Sequence, residues 1–262
     1  MARIVAITNQ KGGVGKTTTS VNLAATLAMR GLRVLLVDLD PQGNASSAVG
    51  LPRAEAEGGS FDLLLGEATL DDVARLTDVA GLELVPASEA LLGAEVELVG
   101  VMGRERRLEA ALEPARERYD WVVLDCPPSL GLLTVNALTA ADGILVPLQA
   151  EYFAMEGLVS LLETWKSVRR WLNPRLSRDG ILLTLYDGRT NLAREVEAEV
   201  RAAFGDEVLQ TMIPRSVKLG EAPSHGRPIA LYAPHSPGAR AYLELGDELL
   251  ARHATRGEAV AS

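Results

Sequence analysis

The sequence predicts an α/β fold: a doubly wound, mostly parallel sheet flanked by helices. Three observations predict it. Strand-length apolar runs are continuous rather than alternating, which suits strands covered on both faces. Amphipathic stretches of helix length separate them, as β-α-β crossovers require. A glycine-rich loop joins the first run to the first helix, and ligands of such sheets bind beyond the carboxyl ends of the strands.

The apolar runs are residues 4–8, 34–37 (closing at Asp38), 82–85, 121–124 (closing at Asp125), 144–146, 181–185 and 208–213 (closing at Pro214). The helix candidates are 16–30, 104–118, 155–172, 191–204 and 239–252. The first stops at Gly31, a good residue just past a helix end. Residues 52–60, rich in Glu, Ala and Gly, read as a surface loop. Residues 254–262 read as a frayed tail, so the expectation is one domain over 1–253.

Composition narrows the class. The 262 residues are 47% hydrophobic and 23% charged, which excludes a largely disordered chain. A single cysteine, Cys126, excludes an intramolecular disulfide framework and fits a reducing cytosol. Net charge of −9 argues against a surface coated in cations for nucleic acid, while leaving room for a local basic patch. No apolar run approaches the roughly 18 residues of a membrane span, and the first run is too short for a signal peptide. The expectation is a soluble cytoplasmic protein with no membrane partner.

The strongest chemical signal is the segment Gln10-Lys11-Gly12-Gly13-Val14-Gly15-Lys16-Thr17-Thr18. It follows a strand and opens a helix, the context of a phosphate-binding loop. Glycines let backbone N–H groups converge on anionic oxygens, and the helix N-terminus adds positive potential. Lys16 is placed to bridge the β- and γ-phosphates. The Thr17 hydroxyl is placed to ligate Mg²⁺, and Thr18 is a candidate for the α-phosphate. Gln10 stands where the ordinary pattern has its first glycine, and Lys11 is an additional lysine. Lys11 reads either as further charge beside the phosphates or as a solvated surface lysine.

Two acidic strand ends complete the chemistry. Asp38 and Asp40 flank one apolar residue and would share a face of an extended segment. They read as an acidic turn or, beside a triphosphate, as groups that position magnesium-bound or attacking water. Asp125 closes the run 121–124 in the manner of a Walker B strand, where it can hold a magnesium-bound water or the Thr17 hydroxyl. No histidine accompanies Cys126, so it reads as a small buried hydrophobe. His225, His235 and His253 lack metal-ligand spacing.

The segment Lys-Gly-Gly-Val-Gly-Lys-Thr resembles the deviant phosphate loop (deviant Walker A) of the ParA/MinD ATPases. The resemblance runs from Ile4 to about Leu250. It includes residues 38–44, 125–129, 136–140, 149–157 and 221–226, and is strongest with the short, Soj-like chromosome-partitioning type. It implies a P-loop NTPase fold, ATP and Mg²⁺ as cofactors, and a nucleotide-sandwich homodimer in which Lys11 reaches the partner's phosphates. It implies that Asp40 orients the hydrolytic water and that Asp38 supports the magnesium shell. It places Gly12, Gly13, Val14, Gly15, Lys16, Thr17 and Thr18 around the nucleotide. Pro214 and Ser216 fall at the position bordering adenine, with Ser216 replacing the usual Asn and leaving recognition to the backbone.

From 214 to 240 the chain carries Arg215, Lys218, Arg227 and Arg240 against Glu221, a local balance of 4 − 1 = +3, and Arg189 lies in a nearby loop. Composition alone reads these as ordinary solvated charges. The resemblance makes Arg189, Arg215, Lys218 and Arg227 candidates for non-specific DNA binding by the dimer at the nucleoid, with hydrolysis stimulated by a ParB/Spo0J-type partner. A MinD-type reading would call for a basic amphipathic C-terminal helix, whereas 239–252 carries Glu244, Asp247 and Glu248. A nitrogenase iron protein would need two cluster cysteines per chain. An ATP-dependent enzyme acting on a small molecule fits the fold equally well.

Overall fold

The computed structural model describes residues 1–151 and 154–261, with side chains for all of these except 53, 154, 156 and 255–261. Tyr152 and Phe153, within the 149–157 motif, lie outside the described residues, as does Ser262. Eight strands form one sheet: β1 (Arg3–Ile7), β2 (Val34–Asp38), β3 (Arg75–Leu76), β4 (Leu82–Val85), β5 (Trp121–Asp125), β6 (Gly143–Gln149), β7 (Ser177–Tyr186) and β8 (Val208–Pro214). Their order is β3-β4-β2-β5-β1-β6-β7-β8, and every pairing is parallel except β3 with β4.

The continuous apolar runs have the expected cause. Alternate residues of each strand feed two separate cores. Ile4, Ala6, Leu35, Val37, Val122 and Leu124 face one layer. Val5, Ile7, Val34, Leu36, Trp121 and Val123 face the other. With a period of two and apolar residues in both phases, both faces must be covered. The second layer is built by helix α1 (Lys16–Met29), the short helix Asn44–Ala48 and the C-terminal helix Pro237–Ala261. The first is built by the helices Ser60–Leu65, Leu132–Ala140, Ala154–Trp171 and Asn191–Phe204.

Several elements depart from the sequence expectation. The stretch 104–118 is not one helix: a 3₁₀ turn Arg104–Arg106 precedes the helix Arg107–Ala111, and Ala115–Arg118 forms a separate turn. Pro114 removes a backbone donor and collides with a continuing helix, which explains the break. The helix Leu132–Ala140 has no amphipathic signature because it is buried nearly all round. Its Asn136 fastens the broken stretch, accepting from Leu108 N at 3.1 Å and donating to Arg104 O at 2.7 Å. The last helix extends through residue 261, across the stretch expected to fray. The surface loop 52–60 ends in a buried residue, Ser60, whose hydroxyl donates to Asp38 O at 2.7 Å.

Register positions the ligand edge. Asp38 of β2 lies opposite Asp125 of β5, and Asp125 also lies opposite Ile7 of β1. The carboxyl ends of these three strands therefore converge where the glycine loop leaves β1.

The C-terminal helix and α1 approach closely at Gly246, where a β-carbon would fall 2.6 Å from Thr26 Cγ2. Thr26 is fully buried and β-branched, so it has little freedom to yield. In an open helix Gly→Ala stabilises by roughly 1 kcal/mol. Here Gly246→Ala is expected to destabilise by about 1–3 kcal/mol through overpacking. Thr26→Ala should relieve that cost, which a double-mutant cycle by urea denaturation checks.

Candidate functional site

The loop after β1 is held from below. Asn9 Nδ2 donates to Pro147 O at 2.7 Å, and Asn9 Oδ1 accepts from Lys11 N at 3.0 Å. The Val14 side chain is buried, and its carbonyl accepts from Thr184 Oγ1 on β7 at 2.7 Å. Val14 thus anchors the loop rather than lining its mouth. Gly13 and Gly15 take φ of 74° and 85°, the left-handed region that a side chain disfavours. Gly15 precedes α1 and supplies no side-chain cap, so the first-turn N–H groups of α1 remain available to a ligand.

Those groups face a cavity of about 450 Å³. One wall is Gly12, Gly13, Gly15, Lys16, Thr17 and Thr18. A second is Asp40, Gln42, Asn44 and Pro128. The lining also includes Thr184, Leu185, Ile213, Ser216 and Tyr242. Lys16 is buried, with Nζ donating to Lys11 O at 3.1 Å. Burial makes its ammonium easier to deprotonate, and the charges of Asp125 and Asp40 offset part of that effect.

Asp38 and Asp125 are fully buried side by side. Asp38 is one step back from the cavity. Its Oδ2 accepts from Ser46 N at 2.8 Å and Ser46 Oγ at 2.7 Å, and its Oδ1 accepts from Asp40 N at 3.1 Å. Asp125 Oδ1 accepts from Ser20 Oγ at 2.7 Å, while Oδ2 is buried without a hydrogen-bond partner among the described residues. Burial raises the proton affinity of both carboxyls. For Asp125 the adjacent Asp38 charge raises it further, and the Ser20 and Thr17 hydroxyls pull it back. Two buried acids, one with an orphaned oxygen beside a threonine hydroxyl, fit a divalent cation that neutralises them. Among the described residues no cluster of three or more His, Cys, Asp or Glu side chains could hold a metal by itself. A cation here needs phosphate or water ligands as well, as Mg²⁺ at nucleotide sites commonly does. Asp40 lines the cavity directly, its Oδ1 accepting from Gln42 N at 2.9 Å.

Lys11 does not line this cavity. Its Nζ pairs with Glu151 at 2.8 Å on the surface. Pro214 ends β8 opposite Tyr186, and Ser216 reaches the cavity wall. Of the basic candidates, Arg189 is spent on Asp187 through two hydrogen bonds of 2.8 and 2.7 Å, and Lys218 on Glu221 at 2.8 Å. Arg215 and Arg227 are exposed, and Arg227 borders a second cavity that Thr17 and Thr18 also reach. Burial pushes the Cys126 thiol up, consistent with a core residue rather than a nucleophile.

Several site residues escape the sequence reading. Ser20 orients Asp125, and its only sequence signal is its place one helical turn after Lys16. Leu185 lines the cavity at the end of β7 with φ of 50°, the only positive value of a non-glycine among the described residues. Such a conformation is uncommon for leucine and tends to occur at sites. Gln42 and Asn44 lie within the 38–44 motif but had no role assigned to them, and Thr184 and Tyr242 carry no motif of their own.

Comparison with known proteins agrees with this geometry. A family model described as an AAA domain matches residues 2–178. The chromosome-partitioning ATPase Soj of Thermus thermophilus is 56% identical over 250 residues, covering 95% of this chain and 96% of that protein. The sporulation initiation inhibitor protein Soj of Bacillus subtilis is 54% identical over 251 residues, covering 96% and 99%. Among solved structures, cobyrinic acid a,c-diamide synthase of Mycobacterium smegmatis with bound ADP and magnesium superposes with a TM-score of 0.86 at 40% identity, covering 98% and 97%. With the deviant loop seated at the ligand edge of a doubly wound sheet, and these relatives matched over nearly the whole chain, the chain belongs to the ParA/MinD family of P-loop ATPases, with the Soj/ParA chromosome-partitioning proteins among its relatives.

Proposed function

We propose that this protein is an ATP-dependent switch of chromosome partitioning, monomeric without ATP and a nucleotide-sandwich dimer with it. The observation that carries the reading is the division between two lysines of one loop. Lys16 is buried within the cavity, whereas Lys11 sits outside it on a surface carboxylate. A loop lysine directed away from its own site is available to a second copy's phosphates.

In this reading the glycine loop and the first turn of α1 hold the triphosphate, and Lys16 neutralises charge between its terminal phosphates. Thr17 and Asp125 hold the magnesium ion, which supplies charge neutralisation on the phosphate oxygens. Asp38 acts through the Ser46 and Asp40 backbone, fixing the segment that carries Asp40. Asp40, which lines the same cavity as the loop, orients the attacking water. Pro214 and Ser216 border the base. The ATP dimer binds nucleoid DNA non-specifically through Arg189, Arg215, Lys218 and Arg227, and hydrolysis, stimulated by a ParB-type partner in the cytoplasm, releases it. The high identity to partitioning proteins supports this reading. Among the described residues no helix is long and apolar enough to cross a membrane.

A second reading has its own support. The 40% identity and close superposition with a diamide synthase favour an enzyme that spends ATP on a metabolite. Nucleotide-dependent DNA binding separates the two: the switch requires it, and the metabolic enzyme does not.

Three outcomes test the proposal. Lys16→Ala is expected to weaken ATP binding at least about tenfold, the effect of losing a charge-assisted contact. Lys11→Ala should bind ATP like the parent yet stay monomeric by light scattering, and full dimerisation of that variant would refute the trans role. Asp40→Ala should retain ATP binding and dimerisation while turnover falls on the order of 10²-fold.

The internal pairing of Arg189 gives a sharper test of the DNA surface. Hydrogen bonds from Arg189 hold the Asp187 carboxyl down at about 2, so Asp187 stays ionised and competes with phosphate for that guanidinium. Asp187→Asn is expected to tighten DNA binding, whereas Arg215→Glu should weaken it and flatten the logarithmic salt dependence by about 0.9 per lost phosphate contact. Titrations with ATP, ADP and no nucleotide at two salt concentrations provide the measurement.

A further inference from the structure

Between β4 and β5 the chain forms a nearly continuous helical segment from Glu89 to Gly100, alternating 3₁₀ and α geometry. Its inner side is ordinary: Leu91, Ala94 and Leu98 are buried in the core shared with Leu133 and Ala137. Its outer side is not. Leu92, Val96, Val99 and Met102 are 61%, 78%, 63% and 96% exposed. Residues 92, 96 and 99 recur at helical spacing, so they form a second apolar stripe facing water. A surface helix normally turns one apolar stripe inward and a polar face outward. Scattered exposed leucines need no explanation, but a contiguous row marks an interaction surface.

The stripe is bordered by acids. Glu89, Glu95 and Glu97 are exposed on the same segment, which carries no cation. The nearest arginine, Arg104, is committed to Glu105 at 3.0 Å and to the Val99 carbonyl at 2.9 Å. We propose that this stripe is the docking surface for a basic amphipathic helical segment of a partner protein. An apolar row takes the apolar face of such a helix, and the glutamates face its cations. Charge also selects against a second copy of this chain, because a two-fold contact sets each acidic border against itself.

Docking here bears on the nucleotide edge. Glu95 lies against Gly131, where a β-carbon would collide with its carboxylate. Gly131 closes the loop that begins after Asp125 and includes Pro128 of the cavity wall. A partner seated on Val96 therefore presses on a segment in contact with that loop. Binding itself does not depend on the proposed ATPase function; only its influence on turnover rests on that reading.

The test is an anisotropy titration of the full chain with a labelled Leu/Lys peptide of about 18 residues, long enough to hold an amphipathic helix. A scrambled peptide of the same composition is the control, and ATP turnover is followed in parallel. The parent should bind the amphipathic peptide and not the scrambled one. Val96→Glu should lose at least about tenfold in affinity, as a central interface residue does, and Val96→Ser should lose less, both with the parent's melting temperature. Non-specific attraction predicts the opposite sign, since Val96→Glu adds negative charge. Equal binding of the scrambled peptide, or undiminished binding by Val96→Glu, overturns the proposal. So does a parent dimer without nucleotide that Val96→Glu dissolves, because a second copy then occupies the stripe. Peptide binding with no ATP turnover supports the docking surface and removes the nucleotide reading instead.

Discussion

The ligand edge of this sheet depends on two carboxylates at one level of adjacent strands. Register brings Asp38 and Asp125 side by side, and the covering layers bury both completely. Like charges in a poorly solvated place repel strongly, so the surroundings are organised to hold them. Ser46 supplies both its hydroxyl and its N–H to Asp38, Ser20 supplies its hydroxyl to Asp125, and Lys16 brings a buried positive charge. The segments that follow these strands, carrying Asp40 and Pro128, are thereby tied to a single electrostatic centre. A ligand that changes the charge there acts on both segments together.

Around that centre the scaffold is firm below and exchangeable above. Thr184 and Pro147 fix the underside of the glycine loop through buried hydrogen bonds. Lys11, in contrast, holds Glu151 in a pair whose side chains are 36% and 44% exposed. Exposed pairs of this kind contribute little, about 0–1 kcal/mol, so exchanging Glu151 for a phosphate costs little. The same reasoning separates the DNA candidates: Arg189 and Lys218, each in an ion pair with a neighbouring acid, must leave it first, whereas Arg215 feels the Asp187 charge without forming a direct ion pair among the described residues.

Legibility followed periodicity. The seven longer strands were readable because both faces are apolar, and α1, though buried nearly all round, was readable because it follows the glycine loop and closes at Gly31. The two-residue β3 is too short to leave a pattern. The helix Leu132–Ala140 is uniformly buried, which removes the contrast on which periodicity rests. The break in 104–118 was written in Pro114, a signal outweighed by the amphipathic spacing around it. At the site, groups within the motif were legible because phosphate chemistry demands them. Ser20, Thr184 and Leu185 were not, since they act through contacts between elements distant in sequence, and only the folded register brings those together. Asp38 shows the limit most clearly: spacing placed it on one face with Asp40, but the fold turns Asp38 inward to Ser46 and leaves Asp40 at the cavity.

The acid centre and the apolar stripe are linked by few atoms. From Asp125 the chain passes Cys126, the stiff Pro127-Pro128 pair and Ser129 to Gly131, where it meets the Glu95 carboxylate. Proximity along a path is not coupling in itself; coupling needs an element with two arrangements that both ends bias. Gly131 meets the steric part of that requirement. With no side chain it admits the Glu95 carboxylate, which a β-carbon there would meet. In the proposed docking, a partner that holds Glu95 acts on the loop through this contact. The influence is therefore reciprocal, as any equilibrium linkage between two sites must be.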